Sequence, residues 1–328
     1  MSAPTVLVVG EHHNGKIRLA SLELVSAAQT IAGDLGAEVA VAVAGAGVAG
    51  IAAEFATIEG VDRVLHVEHD ALAQFLPGPW VGAVSSIVQQ VQPVAVLIPS
   101  SITGRDYAAR AAARLDVGLV PDALSLGTDG GSLIATRAVL GGRVQTTVGF
   151  QSTPAMVTMA PGAYPRAEAG YGSAPIEKLA VEIDATDARV TLVDVTGHVQ
   201  GAKALADAER VVSGGRGLGK AENFDLVEEL AGLLHAAVGA SGATVGAGWR
   251  SHSDQVGSTG HIVSPKLYLA VGISGAPQHL VGMSGSDYIV AINRDSDAPI
   301  FNVASYGIVG DLFEVVPALI RQLKASAE

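Results

Sequence analysis

EVAVAVAG, residues 38–45, has one charge at its first position and seven uncharged residues after it. A run this short, apolar on both alternating faces, reads as a strand covered from both sides. Working outward, the pattern recurs as TVLVVGEH at 5–12, VDRVLHVEH at 61–69 and VAVLIPSS at 94–101, separated by Ala-rich helical stretches. Such strands alternating with helices build a parallel sheet with helices on both faces.

After Leu126 the rhythm changes. LIATRAVL (133–140) and RVQTTVGF (143–150) form a hairpin through Gly141 and Gly142. AMVTMAPGAYP (155–165) and a strand near Arg189 to Val195 extend a mixed sheet, and Thr196–Ala208 reads as a connector. A second βα series opens at ERVVSGG (209–215), followed by a helix with Asn223 as N-cap and Val227, Leu230, Ala231, Leu234 and Val238 on one face. Further strands are KLYLAVGIS (266–274), YIVAINRD (288–295) and IFNVASY (300–306), and the last helix is interrupted by, or begins at, Pro317. The fold class is α/β in two domains, 1–203 with a mixed sheet and 204–328 with a parallel sheet, and no repeat of 20 to 50 residues is evident.

Composition narrows the function. A chain of 328 residues exceeds what one core usually organises, and 49% hydrophobic against 16% charged residues marks a folded protein. The 40 glycines beside few aromatic residues fit an Ala/Val/Gly-packed α/β protein with tight turns. Twenty Lys and Arg against 32 Asp and Glu leave a formal charge of −12, which repels nucleic acid and anionic lipid. No cysteine is present, so disulfides, thiolate nucleophiles, thiolate metal sites and cysteine-held iron–sulfur clusters are excluded. Any redox role rests on an organic cofactor. The first residues lack a secretory pattern, giving a cytoplasmic expectation. The long uncharged interval between Asp70 and Arg105 holds Pro77, Pro79, Pro93, Gln89, Gln90 and Gln92, which a membrane-spanning helix does not choose.

Several motifs carry two readings. GAGVAG (45–50) matches the GxGxxG dinucleotide loop, but it follows the second strand, and no acid clearly ends the next strand about 20 residues on, so a plain turn competes. GGRGLGK (214–220) resembles the first part of a phosphate loop, yet Ala221 stands where a nucleotide hydrolase needs Ser or Thr. NTP hydrolysis is disfavoured, while anion holding with Arg216 as a clamp survives. His66, Glu68, His69 and Asp70 lack the helical spacing of a metal site and read as a solvated strand end, as do His12 and His13. His235 suits a helix C-terminus on electrostatic grounds.

Between Arg216 and Tyr306, small and hydroxyl residues recur after strands: Gly239, Ala240 and Ser241; Gln255, Val256, Gly257, Ser258 and Thr259; Ser274, Gly275, Ala276, Pro277, Gln278 and His279. In an open α/β sheet the ligand crevice lies at the carboxyl ends of strands, where such residues let a cofactor approach the backbone. His279 is the one residue of this set with acid/base or charge-stabilising capacity; read alone it could equally be a satisfied histidine at a helix start.

The run KLYLAVGISGAPQHLVGM…YIVAINRDSDAPIFNVASYGIVGDLF, with VVSGGRGLG, LHAAVGAS and QVGSTG before it, closely resembles the signature region of the electron-transfer flavoprotein alpha (large) subunit, over residues 210 to 323. The N-terminal half agrees more loosely, through its opening strand and APGAYP. The resemblance implies an N-terminal α/β domain that packs on a beta subunit and a C-terminal flavodoxin-like or Rossmann-like domain that holds one FAD. It implies that Arg216 and Ser241 contact FAD, that Gln255 to Thr259, Ser274 to His279, Asn293, Ser305 and Tyr306 complete the pocket, that Thr259 lies near flavin N5 and that His279 donates near flavin O2. A donor or positive charge beside N1 and O2 favours the reduced anion, and a hydroxyl at N5 tunes one-electron steps.

This chain departs from the family pattern in places. GASGATVGAG (239–248) stands for the usual GASRAAVDAG, so Gly242 replaces the arginine over the flavin and Gly246 the nearby aspartate. Losing that cation lowers the flavin potential unless Arg250 or a partner residue substitutes. Ser305 replaces an aspartate, Pro277 an isoleucine and Ser258 a glutamine. The resemblance implies a carrier without catalytic residues or metal, passing electrons from flavoprotein dehydrogenases to a respiratory acceptor such as a quinone oxidoreductase. A stand-alone flavin or nicotinamide oxidoreductase using His279, and a non-redox nucleotide-binding module, are the alternatives.

Overall fold

The computed structural model describes residues 3–140, 142, 144–194, 205 and 208–326, and the chain divides into two compact units, residues 1–196 and 197–328. The boundary expected near residue 203, most of the connector, Gly141 of the hairpin turn and Val195 lie outside the described residues.

The first unit begins with β1 (Thr5–Gly10), the short ribbon β2 (His12–His13) and β3 (Lys16–Ile17), and α1 (Leu19–Leu35). β4 (Glu38–Gly45), α2 (Ala49–Ala56), β5 (Arg63–Glu68), α3 (Pro77–Val91), β6 (Ala95–Pro99) and α4 (Ile102–Leu115) complete the βα alternation. β7 (Leu119–Asp129), β8 (Ser132–Val139) and β9 (Val144–Gly149) then run antiparallel, before β10 (Ala155–Met159) and β11 (Ile176–Lys178). The nine strands form one sheet in the order β11-β5-β4-β1-β6-β10-β7-β8-β9, parallel from β11 to β7. Its central strands are apolar on both sides because both faces are covered: Val6, Val8 and Val41 pack under α1 and α2, whereas Leu7, Val9 and Ala40 pack under α3 and α4. Residues 189–194 do not form the expected strand; the pairing partner that their β-branched residues need is absent among the described residues, and Val190 and Val193 stand exposed.

The second unit contains β12 (Arg210–Gly214), α5 (Phe224–Leu233), β13 (Ala237–Ser241), α6 (Gly242–Gly246), β14 (Gln255–Val256), β15 (Leu267–Val271), α7 (Pro277–Leu280), β16 (Tyr288–Asn293), β17 (Tyr306–Val309) and α8 (Leu312–Ser326). Its sheet order is β14-β13-β12-β15-β16-β17, all parallel. The five longer strands follow the 2-1-3-4-5 order of flavodoxin-like sheets, and two-residue β14 adds the extra edge strand of the Rossmann arrangement. Helices α5 and α8 cover one face through Val227, Leu230, Val316 and Ile320.

Four local expectations are corrected here. The helix after Asn223 ends at Leu233, because His235 takes a φ of 50° and turns the chain into β13, so Val238 is a strand residue. Asn223 occupies the N-cap position without a capping bond; its Nδ2 donates instead to Leu218 O at 2.6 Å. IFNVASY is not one strand: Pro299–Asn302 coils into a 3₁₀ turn that buries Ile300, and the strand begins at Tyr306. Pro317 neither starts nor interrupts α8, which runs through it. No described helix is long and apolar enough to cross a membrane.

Candidate functional site

In the second unit the chain moves from β12 outward to β13 and β14, then returns to place β15, β16 and β17 on the other side of β12. The order therefore reverses between β12 and β15, and the crevice of an open α/β sheet lies at that point, beyond the carboxyl ends of the strands.

Two glycine loops meet there. Gly217 N donates to Gly272 O at 2.9 Å, and Gly215 N to Val271 O at 2.9 Å. A Cβ on Gly217 would lie 2.7 Å from Gly272 Cα, one on Gly215 2.7 Å from Gly272 C, and one on Gly275 2.7 Å from Ile300 Cα. Gly272 and Gly275 have φ of 64° and 84°, the left-handed region where side chains are strained. The loops thus pack backbone on backbone into a glycine-built cradle with no room for a side chain between them. Arg216, between Gly215 and Gly217 in one loop, and Ser274, between Gly272 and Gly275 in the other, are both exposed.

Around this cradle, β13 ends in Ser241, which is buried, with its Oγ 3.4 Å from Thr244 Oγ1. Gln255 is buried at the start of the two-residue β14 and donates from Nε2 to Thr259 Oγ1 at 2.8 Å. Having accepted that bond, the exposed Thr259 hydroxyl keeps its own proton to donate. Gly257 abuts the 276–279 turn, with Ser258 N donating to Gln278 O at 2.8 Å, so the loops after β14 and β15 are one assembly. His279 is 6% exposed; its Nδ1 lies 3.1 Å from Val256 O and its Nε2 3.1 Å from Tyr268 Oη. Burial depresses its pKa to about 4 against a weaker opposing effect of the Val256 carbonyl, so the imidazole is neutral at pH 7. Asn293 ends β16 and organises the rim, its Nδ2 donating to Ile273 O at 2.9 Å and its Oδ1 accepting from Asp295 N at 3.0 Å.

The structure therefore brings Arg216, Ser241, Gln255 to Thr259, Ser274 to His279 and Asn293 to one end of the sheet. Ser305 and Tyr306 do not join them. Tyr306 pairs with Val290 at the start of β17, whereas Val309 is the residue level with Asn293. Three residues of strand, about 10 Å, separate the two ends. Ser305 closes the β16–β17 ladder, its Oγ accepting from Ile289 N at 3.1 Å. The carboxyl end of β17 instead presents Asp311, whose Oδ1 accepts from Phe313 N at 2.8 Å, and Leu312, whose side chain reaches Gly272. The sequence reading missed both. The signal was the strand end itself, obscured by running IFNVASY together.

Arg250, the candidate replacement cation, is committed elsewhere: it pairs with Glu228 and with Asp254 (2.9 Å) and lies 5.3 Å over the Phe224 ring. In the first unit the GAGVAG loop is a closed turn. Gly47 has a φ of 71° and its amide donates to Glu68 Oε1, and His66 Nε2 holds Glu68 Oε2 at 2.9 Å. An acid thus does end the next strand, contrary to the sequence expectation. Its pKa is lowered, first by the Gly47 amide and then by His66. No cluster of metal-ligating residues occurs among the described residues.

Residues 6–184 match the family model for the electron transfer flavoprotein domain, and residues 204–284 match the electron transfer flavoprotein FAD-binding domain. The chain is 42% identical over 316 residues to the electron transfer flavoprotein subunit alpha of Syntrophomonas wolfei, covering 96% of this chain and 97% of the relative. The chain belongs to the electron transfer flavoprotein alpha-subunit family. The Mycobacterium tuberculosis subunit alpha is 39% identical over 322 residues, with 98% of each chain covered, and that of Bacillus subtilis 37% over 320 residues, with 97% of each covered. As a member of this family, the chain carries a flavin-binding domain in its second unit, and the glycine cradle lies at the switch point of that domain's sheet.

Proposed function

We propose that this chain is the FAD-holding alpha subunit of a heterodimeric electron carrier that works in the cytoplasm, takes electrons from flavoprotein dehydrogenases and delivers them to a respiratory quinone oxidoreductase. The observation that supports it most is the cradle of Gly215, Gly217, Gly272 and Gly275 at the switch point of a parallel sheet, inside a domain of this family. One FAD would bind per chain. Bound FAD supplies the electron-transfer chemistry of its ring system.

This chain's residues supply position and charge. The cradle lets a pyrophosphate approach the backbone, with Arg216 as counter-charge and Ser274 as hydrogen-bonding hydroxyl. Ser241 and Thr259 offer hydroxyls along one wall, the latter oriented by Gln255. Asp311 offers a carboxylate acceptor to a sugar hydroxyl, and His279 lies buried beside the rim. A carrier needs no general base or substrate pocket, only an exposed ring edge and a docking partner. The first unit would dock the beta subunit.

Co-expression with the beta subunit and anaerobic stepwise reduction tests the reading. The expected result is a yellow heterodimer with one FAD per alpha chain that accepts electrons from a dehydrogenase and passes them on without turning over a small substrate itself. A colourless heterodimer refutes it.

A further inference from the structure

Tyr268 and His279 form a buried polar pair on the sheet face opposite α5 and α8, packed among Val256, Ile273 and Met283. The Val256 carbonyl can only accept a hydrogen bond, so His279 Nδ1 carries a proton. In the neutral ring Nε2 is then bare, and the Tyr268 hydroxyl must be its donor. The two rings lie 6.1 Å apart at 59°. Both nitrogens are therefore engaged inside the protein, and the resting imidazole is not a standing cation.

The surroundings do not supply a counter-charge. The groups bonded to the imidazole are the Val256 carbonyl from β14 and the Tyr268 hydroxyl from β15, of which Tyr268 alone titrates. Burial raises the Tyr268 pKa, which keeps it a neutral hydroxyl. One strand over, on the same sheet face, the buried Ser213 hydroxyl lies against the Tyr268 hydroxyl and opposes that rise more weakly than burial drives it.

We propose that Tyr268 is the positioning residue that makes His279 chargeable: its hydroxyl donates to Nε2 of the neutral imidazole and, by turning about its C–O bond, accepts from Nε2–H of the imidazolium. A phenol can play either part, whereas an ammonium, a carboxylate or an amide nitrogen cannot. The step is the uptake of one proton from water onto Nε2, balanced by the negative charge of an anionic ligand against the rim. The ligand class is a planar anion with delocalised charge, and its identification with reduced flavin rests on the function proposed above. Tyr268 thus couples the electrostatics of the site to a proton without touching the ligand.

Histidine-selective ¹⁵N spectra of the full-length chain in complex with its beta subunit test this, with His279 assigned by loss of its signals in His279→Gln. The expected wild-type pattern is a proton on Nδ1 and a bare Nε2. Tyr268→Phe keeps the ring and removes only the hydroxyl. The charged donor loses more than the neutral acceptor does, so proton affinity at His279 falls about tenfold. The preference of the site for reduced over oxidised flavin falls by the same factor, and Tyr268→Phe has no such effect in a His279→Gln background. An unchanged midpoint in Tyr268→Phe, or a wild-type proton on Nε2, overturns the proposal. A colourless complex overturns the flavin reading instead, while the titration still decides the role of Tyr268.

Discussion

Replacing Gly275 by alanine probes whether the cradle depends on the absence of a side chain. Gly275 has a φ of 84°, and a Cβ there would lie 2.7 Å from Ile300 Cα and 3.0 Å from Ile300 Cβ. Ile300 is fully buried, and its amide donates to Ser274 O at 3.0 Å, so the methyl group would push apart two segments that hold each other. The left-handed backbone costs about 1–2 kcal/mol for a residue with a side chain, the displaced hydrogen bond about 1, and the overpacked contact about 1–3. Together that is roughly 3–6 kcal/mol, against the roughly 5–15 kcal/mol that holds a domain folded. Urea unfolding measures the global loss, and amide exchange at Ile300 reports the local one, which should accelerate steeply. Gly246→Ala is the control, since nothing lies within 4 Å of a Cβ there. A Gly275→Ala protein that loses less than about 1 kcal/mol and keeps Ile300 protected would refute the argument that this loop is closed by backbone contact.

Acidification should destabilise the second unit through His279. Its folded pKa of about 4 lies below the ordinary 6.5, so the unfolded chain binds more protons between those values. The contribution is fully present above pH 6.5 and lost as pH falls toward 4, by about 3 kcal/mol in all; urea midpoints across that range should decline in wild type and flatten in His279→Gln. Gly242→Arg restores a cation where a Cβ has its nearest neighbour, Gln255 Nε2, at 3.6 Å; on the flavin reading, affinity for reduced over oxidised flavin should rise about tenfold, or about 30 mV in the two-electron midpoint of a spectroscopic titration. Asp187→Ala removes the partner of Arg114, held at 2.5 and 2.7 Å by a carboxylate that is 6% exposed. Because Arg114 is 43% exposed, the loss is discounted to about 1–3 kcal/mol, and limited proteolysis should cut residues 180–194 faster.

The central strands of both sheets were legible because burial on both faces leaves an unbroken apolar run that no solvated helix shares. Errors arose where a local pattern needed a distant partner or a backbone turn to complete it. Residues 189–194 have strand composition but no neighbouring strand among the described residues. Val238 continues the apolar period of α5, yet the positive φ at His235 ends that period in space. Ser305 and Tyr306 lie close in sequence to the rim, but sequence distance does not say which end of a strand is reached; the register of β17 does, and it selects Asp311. The Tyr268–His279 pair was invisible for the same reason, since the partner of a lone histidine is set by strand alignment.

The turn at Gly47 has a consequence for anion competition. Glu68 reaches the Gly47 amide from 21 residues along the chain and is tethered beside it. A tethered group acts at an effective concentration of the order of millimolar or above, without the translational entropy that a free ion must lose on binding. Free phosphate must therefore displace a carboxylate that never leaves the vicinity, and must do so in a chain with 32 acidic residues against 20 basic ones. A glycine pattern commonly taken for an open anion receptor is here an intramolecular lock, and its key is the last residue of the adjacent strand.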